Sequence, residues 1–173
     1  NSGDIGIGDS SPSTKLHVTT SDQDDGITIE CTNGGTSAGP SLKLDRSSAS
    51  PADDDSIGEI EFSGRNDASQ AVQYARIVST ILDASDGTED GSIDLKAMLA
   101  GTSRSRFFSN STETVINEGS QDLDFRVESN GQANMLFVDG GNDSVLIGTG
   151  TSRNDAGSTT VSAFQIEGTN GQT

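Results

Sequence analysis

Hydrophobic and polar residues alternate in this chain over short segments, and turn residues separate these segments. The alternating segments are residues 27–29, 42–44, 57–62, 72–82, 93–99, 123–127 and 135–138. Each has the length of a strand, is rich in β-branched residues and is flanked by Gly, Asn, Asp or Ser. No window combines apolar residues at helical spacing with capping residues, so we expect almost no helix. The pattern predicts an all-β chain.

The sharpest local prediction is a β-hairpin over residues 122–139. Asn130-Gly131 supplies the two positive-φ residues of a type I′ turn. The register that follows from this turn pairs Leu123 with Val138, Phe125 with Leu136, and Val127 with Asn134, and it turns Met135 and Phe137 to the other face, opposite Arg126 and Asp124. A strand that is apolar on both faces needs cover on both. We expect a second copy of the chain to cover Met135 and Phe137, with the interior of an ordinary sandwich as the alternative.

Two phrases of the sequence occur twice. Ile147-Gly148-Thr149 repeats Ile7-Gly8-Asp9 with an offset of 140 residues, and FQIEGTNGQ (164–172) repeats ITIECTNGG (27–35) with an offset of 137. Two matches in the same order at nearly the same offset predict one period of about 140 residues and the opening of the next, as in serially built, elongated proteins. Shared Asn-Gly turn chemistry is the alternative explanation of the second match.

The composition limits the size of any core. Hydrophobic residues make up 29% of the 173 residues, aromatic residues 4%, and the net charge is −17. Such values are typical of disordered chains, or of ordered chains that complete their core with neighbouring copies. The alternating segments favour the second class. The acidic balance argues against a nucleic-acid partner, and no apolar run reaches the roughly 18–20 residues that would predict membrane insertion.

Residues for catalysis are few. His17 and Cys31 are the single histidine and cysteine, and the G-x-S-x-G and H-E-x-x-H motifs do not occur. Pairs of carboxylates for glycoside hydrolysis stay open, because the chain has 27 acidic residues. Sugars usually rest on aromatic side chains, however, and the chain has one Tyr and no Trp. We predict no catalytic residues and no enzymatic activity.

One stretch imitates a calcium-binding loop. DGTEDGSID (86–94) places Asp86, Thr88, Asp90 and Asp94 at ligand positions of an EF-hand. The twelfth position, which needs a bidentate Glu, is Ala97, and no flanking helices are predicted. An Asp- and Gly-rich hairpin turn explains the stretch equally well. We expect no cofactor, with calcium at these four residues as a weak alternative.

Several segments, taken in order, resemble the shafts of bacteriophage tail fibres and tailspikes. The first, GDIGIGDSSPSTKLHV (3–18), is similar to the "VGIGT-SP-KLHV" segment of that family. The similarity continues through IGEIEFSGRND (57–67), YARIVSTILDASDGTEDGSIDL (74–95) and DFRVESNGQANMLFVDGGNDSVLIGT (124–149). In the family this segment commonly precedes an intramolecular-chaperone autoprotease domain, which this sequence lacks. The second Ile-Gly phrase lacks the Ser-Pro and Lys-Leu-His-Val pieces of the first.

The resemblance implies an elongated homotrimeric fibre with intertwined strands, similar to a β-helix or β-prism, exposed on the virion. Composition and resemblance together place one set of apolar side chains on the trimer axis: Ile5, Ile7, Leu16, Val18, Met135, Phe137, Ile147, Phe164 and Ile166. Gly6, Gly8 and Gly148 are expected where a tight turn or a close backbone leaves no room for a Cβ. The repeated Ile-Gly phrase is then a joint between shaft segments.

We therefore expect four regions: an Ile-Gly joint (1–20), a β-rich shaft domain (21–121), a hairpin with a second joint (122–149) and the start of the next repeat (150–173). The function expected is a shaft or spacer of a tail fibre in host attachment, with host-surface glycan or protein bound by the whole fibre and with end-to-end assembly as a further option. A polysaccharide-degrading tailspike segment and a bacterial extracellular adhesin or filament are the alternatives.

Overall fold

The computed structural model describes residues 3–21, 26–36, 39–149 and 164–166, the last three as backbone. The described residues form strands and connecting turns, without a helix among them, and so without a helix that could cross a membrane. This confirms the all-β prediction. The chain divides into two compact units, Asn1–Lys43 and Leu44–Thr173. Of the fourth expected region (150–173), all but 164–166 lies outside the described residues.

The first unit contains a pair of short parallel strands, β1 (Ile5–Ile7) and β2 (Leu16–Val18). The second unit contains two sheets. The larger is an antiparallel meander of β3 (Ser56–Arg65), β4 (Ala71–Asp83), β5 (Asp90–Leu99), β6 (Thr102–Ser109) and β7 (Thr114–Ile116). The smaller has the order β11-β10-β9-β8, built from β8 (Phe125–Ser129), β9 (Gln132–Asp139), β10 (Ser144–Ile147) and β11 (Phe164–Ile166).

The meander follows from the positions of its turns. The β5–β6 hairpin turns at Ala100 and Gly101, whose φ angles are 47° and 78°, the pair of positive values that a type I′ turn needs. At the β3–β4 turn, Asn66 holds both ends, because its backbone and side chain hydrogen-bond with Gln70. Consecutive strands joined by such short turns can only pair antiparallel.

The strand predictions for 57–62, 72–82 and 93–99 are confirmed as parts of β3, β4 and β5. The predictions for 27–29 and 42–44 are wrong, because neither segment forms a strand. Ile27 and Leu42 are 66% and 67% exposed, so their alternating pattern has no described neighbouring strand to pair with. Two strands, β6 and β7, were missed: serine and arginine in TSRSRFFS weaken the β-branched signal.

The hairpin β8–β9 is confirmed in the position of its turn and in its faces, but not in its register or its turn type, because neither Asn130 nor Gly131 has the positive φ that a type I′ turn needs. Ser129 pairs with Gln132 around the Asn130-Gly131 turn as predicted, yet Phe125 pairs with Val138 and Val127 with Leu136. An irregularity next to the turn inserts two extra residues in β9. Because side chains alternate with a period of two, a shift of two residues changes the pairs and keeps each side chain on its face.

The buried core is very small. Among the described residues, Leu146 (0% exposed) and Phe137 (9%) are the buried apolar side chains, and Ser144 is the buried polar one. All three belong to the four-stranded sheet, where Leu146 lies directly opposite Phe137. Elsewhere the described strands pack mainly against their hydrogen-bonded neighbours.

Candidate interaction surface

The registers of the five-stranded sheet bring one apolar side chain from each strand into a row. Directly paired residues share a face in an antiparallel sheet. The row runs across the sheet in the order Ile60, Ile77, Leu95, Phe107 and Ile116. Phe62 and Ile93 stand on the same face, in the rows on either side. We call the face that carries these seven side chains the apolar face.

Exposure is concentrated on this one face. The large apolar side chains of the sheet with more than a third of their surface exposed are Phe62 (54%), Ile60 (41%), Ile93 (43%), Leu95 (37%), Ile116 (44%) and Tyr74 (44%). All except Tyr74, which lies at a bulge of β4, are on the apolar face. Val78, Phe108 and Val115, which are on the opposite face, are half-buried. Leu44, itself 44% exposed, lies against Gly58 at one end of the apolar face, and Ile77 and Phe107 in the middle of the row are half-buried.

The opposite face is charged along β3, β4 and β5. Arg76 lies 3.4 Å from a Glu59 carboxylate oxygen, and the Lys96 ammonium lies 3.1 Å from Asp94. Hydrogen bonds from Ser63, then from Gln73, together with the positive charge of Arg76, hold the pKa of Glu61 below its ordinary value. The Lys96 and Asp94 side chains are only 27% and 14% exposed, so this ion pair is partly buried.

The first Ile-Gly phrase forms a sharp reversal. Only residues 8–15 connect β1 to β2, whereas parallel strands usually need a dozen or more connecting residues. Gly8 has a φ of 72°, and a Cβ on Gly8 would collide with the carbonyl oxygen of Thr19. The Asp9 carboxylate accepts a hydrogen bond from the Ser11 backbone N–H at 2.8 Å and lies 2.7 Å from His17 Nδ1. The turn is thereby tied to β2.

The second Ile-Gly phrase likewise has a glycine with positive φ and a parallel partner strand. Ile147 ends β10, Gly148 follows with a φ of 75°, and the chain returns to β11 in parallel with β10. The glycine prediction is confirmed for positive φ at Gly8 and Gly148. Gly6, whose Cβ would collide with the Asp9 carbonyl, is confirmed as a position without room.

The second sequence match, between 27–35 and 164–172, is wrong as a structural match. The strand parallel to β1 is β2, Leu16–Val18, so β2 is the counterpart of β11. Ile27–Ile29, which the sequence aligned with Phe164–Ile166, forms no strand. The remainder of that match, 167–172, lies outside the described residues.

The residues assigned to a trimer axis differ in their surroundings. Ile5, Ile7 and Leu16 are 60%, 56% and 52% exposed, and Val18 and Ile147 are half-buried. Met135 is 46% exposed. Phe164 and Ile166 lie in β11, and their side chains are outside the described residues.

Phe137 stands apart from the other axis residues, because it is already buried against β10 of its own chain. The expected roles of the two hairpin faces are reversed. The Phe137 face packs against Leu146, whereas the face with Phe125 (37% exposed), Val127 (43%) and Val138 (36%) is open. A side chain that is 9% exposed has little surface left for a second copy, so our proposal below keeps Met135 and omits Phe137.

The structure does not bring the four calcium candidates together. Asp86 and Thr88 lie in the β4–β5 connection, and Asp90 and Asp94 lie in β5. Four residues of extended strand span about 13 Å, so Asp90 and Asp94 cannot share one ion. Asp94 instead contacts Lys96. Among the described residues no cluster of three or more His, Cys, Asp or Glu side chains could hold a metal.

The acid-rich connection uses its carboxylates for turns. Asp83 accepts hydrogen bonds from the Ser85 backbone N–H at 2.8 Å and from the Thr88 hydroxyl at 3.3 Å. Hydrogen bonds from Ser85, and a weaker one from Thr88, lower the pKa of Asp83. A hairpin connection closed by its own side chains agrees with the alternative explanation of this stretch.

A groove of about 510 Å³ lies between the end of β7 and the β8–β9 hairpin, and Asp122, Asp124 and Asp143 are among its lining residues. Asp124 accepts a hydrogen bond from the Gly140 backbone N–H at 3.1 Å. Asp139, the last residue of β9, accepts hydrogen bonds from the backbone N–H groups of Gly141 and Asn142. Asp124 and Asp139 thus hold the β9–β10 turn.

Comparison with known proteins leaves the family open. The chain matches no known family model, and it matches no curated protein in sequence.

Proposed function

We propose that this chain is a shaft segment of a homotrimeric bacteriophage tail fibre, acting as a spacer in host attachment. In this proposal three copies turn their apolar faces toward a common axis and keep their charged faces in water. The observation that carries the proposal is the row Ile60–Ile77–Leu95–Phe107–Ile116, in which Ile60, Leu95 and Ile116 keep more than a third of their surface exposed in the single chain.

The energetics support association. Full burial of a large apolar side chain is worth about 1.5–3 kcal/mol, and seven such side chains stand on the apolar face. A single copy buries two apolar side chains among the described residues, which is a small core for a domain of this length. Association of like faces supplies the missing burial without a foreign partner. A three-fold arrangement rather than a two-fold one rests on the sequence resemblance to tail-fibre shafts.

The axis in this proposal differs from the one expected from sequence. The apolar face of the five-stranded sheet forms its main part, and the exposed Met135 is retained from the set expected from sequence. The surface outside the axis is acidic, in keeping with the net charge of −17. A strongly charged exterior keeps a long protein soluble. The segment needs no cofactor in this role, and host-surface glycan or protein is bound by the fibre as a whole.

Immunogold labelling tests the biological part of the proposal. Antibodies raised against the purified chain should label the tails of virions from the source. Labelling of the bacterial cell surface in the absence of phage would instead support an extracellular adhesin or filament. Release of reducing sugar from host polysaccharide by the purified chain would support the tailspike alternative and overturn a spacer role.

A further inference from the structure

The two Ile-Gly phrases share a glycine with positive φ and a parallel partner strand, but not the same set of neighbours. In the four-stranded sheet, β10 lies between the parallel strand β11 and the antiparallel strand β9. In the first unit, β1 has the parallel strand β2 on one side and no described strand on the other. The position that β9 occupies beside β10 is thus open beside β1.

The hydrogen-bonding groups of this edge point toward the open position. Backbone groups of alternate strand residues point to opposite edges. Ile5 donates to Lys15 and Ile7 accepts from Thr19, both at 2.8 Å, so these residues serve β2. The N–H and C=O groups of Gly6 therefore point away from β2. We expect the N–H of Gly8 to do the same, because the N–H of its counterpart Gly148 donates to the Asn134 carbonyl of β9 at 2.9 Å.

The exposure of the side chains shows the same difference. Ile5 and Ile7 are 60% and 56% exposed, whereas their counterparts Val145 and Ile147 are half-buried. Val145 lies directly opposite Val138 of β9. An antiparallel neighbour beside β1 would give Ile5 the contact that Val145 already has.

From these observations we infer that the outer edge of β1 is a docking edge for an antiparallel β-hairpin of the β8–β9 kind, joined to β1 through a short turn. The interface is already formed once in this chain, between β9 and β10, and the offset of 140 residues between the two phrases gives its register. Pairing of this type gives affinity through main-chain hydrogen bonds. The inference is independent of the trimeric arrangement, because it concerns strand pairing along one chain.

One position limits the side chain that the hairpin can present. Gly6 stands where the second phrase has Leu146, and the turn at Asp9 occupies the space of a Cβ on Gly6. The face that Leu146 and Phe137 fill in the four-stranded sheet is covered here by the chain's own turn. The docking is therefore through the backbone of the hairpin and through the face that carries Ile5.

An extended chain tests the inference. A second copy of residues 121–143 is joined directly ahead of Asp4. This junction copies the natural one between Asp143 and Ser144, because Ser144 corresponds to Asp4 at the offset of 140 residues. A second chain carries the same 23 added residues in shuffled order as a matched control. Amide hydrogen exchange of Gly6 and Gly8 is measured by NMR in the original, extended and shuffled chains. The Thr19 amide, bonded to Ile7, reports independently that β1 and β2 are paired.

We expect the extension to slow exchange at Gly6 and Gly8 by about tenfold or more, with the shuffled chain unchanged from the original. Unchanged exchange in the extended chain, with Thr19 protected, would overturn the inference. Equal slowing by the shuffled segment would also overturn it, because the edge would then lack selectivity. Protection of Gly6 and Gly8 in the original chain at high dilution would show that the edge is already covered. Loss of protection at Thr19 would show that β1 and β2 do not pair. Either result overturns the inference.

Discussion

The two sheets of the second unit solve the problem of burial differently. The four-stranded sheet buries Leu146 and Phe137 against each other, so part of its cohesion comes from its own side chains. The five-stranded sheet is larger, yet it leaves Ile60, Leu95 and Ile116 of its apolar row with more than a third of their surface exposed. We therefore expect the five-stranded sheet to depend on other copies for its stability, and the four-stranded sheet to depend on them less.

The largest effect is expected from a charge on the apolar face. Leu95→Asp places a carboxylate in the middle of the row, and three copies would lose the burial of three leucines, about 5 kcal/mol per trimer from the apolar term alone. Ser103→Asp is the matched control, because Ser103 pairs with Met98 on the opposite face and is exposed. Cross-linking followed by gel filtration should show loss of the trimer for the first variant and retention for the second.

The next largest effect is expected inside the four-stranded sheet. Leu146→Ala removes the most deeply buried side chain and should lower the free energy of unfolding by about 3 kcal/mol per chain. Val127→Ala, at an exposed position of β8, should cost about 1 kcal/mol or less. Urea unfolding followed by circular dichroism measures both. Equal losses for the two variants would contradict a self-contained core in this sheet.

A smaller effect is expected at the first Ile-Gly phrase. Gly8→Ala forces a side chain into a φ of 72° and against the Thr19 carbonyl, which should cost about 2 kcal/mol. The local readout is faster hydrogen exchange at the Thr19 amide, which is bonded to Ile7. Gly34→Ala is the control, because a Cβ there meets no atom within 4 Å. Normal exchange at Thr19 in the Gly8 variant would show that the reversal tolerates a side chain.

The smallest effect is the pH dependence of the β4–β5 connection. The pKa of Asp83 is lowered in the folded chain, so its contribution to stability is complete above the unfolded pKa, about 3.9, and is lost as the pH falls through the folded value. The stability difference between the original chain and Asp83→Asn should therefore shrink as the pH falls from 6 toward 3. A difference that is constant over this range would remove the assigned role of Asp83.

Local sequence patterns predicted the strands that carry their own signal. The β-branched alternation of 57–62, 72–82 and 93–99 sufficed for β3, β4 and β5, and Asn130-Gly131 sufficed for the hairpin turn. Where the signal depended on partners, prediction failed: Ile27 and Leu42 alternate correctly but find no described strand, and β6 pairs well despite its serine and arginine residues.

The candidate surface required information that no single segment contains. Each strand of the five-stranded sheet shows one or two apolar residues on a face, which is ordinary for a half-buried strand. The row becomes visible only when the registers of all five strands are known, including bulges such as the one between Leu95 and Lys96. The sequence directed attention to the Ile-Gly phrases because they repeat, and repetition does not report exposure.

The oligomeric state tests the central proposal most directly. Sedimentation equilibrium of the purified chain, over a wide range of concentration, measures the mass of the particle without assumptions about its shape. The proposal expects three times the chain mass of 17.8 kDa, reduced to the single-chain mass by Leu95→Asp. A folded single chain of 17.8 kDa at every concentration, with the apolar face in water, would contradict it.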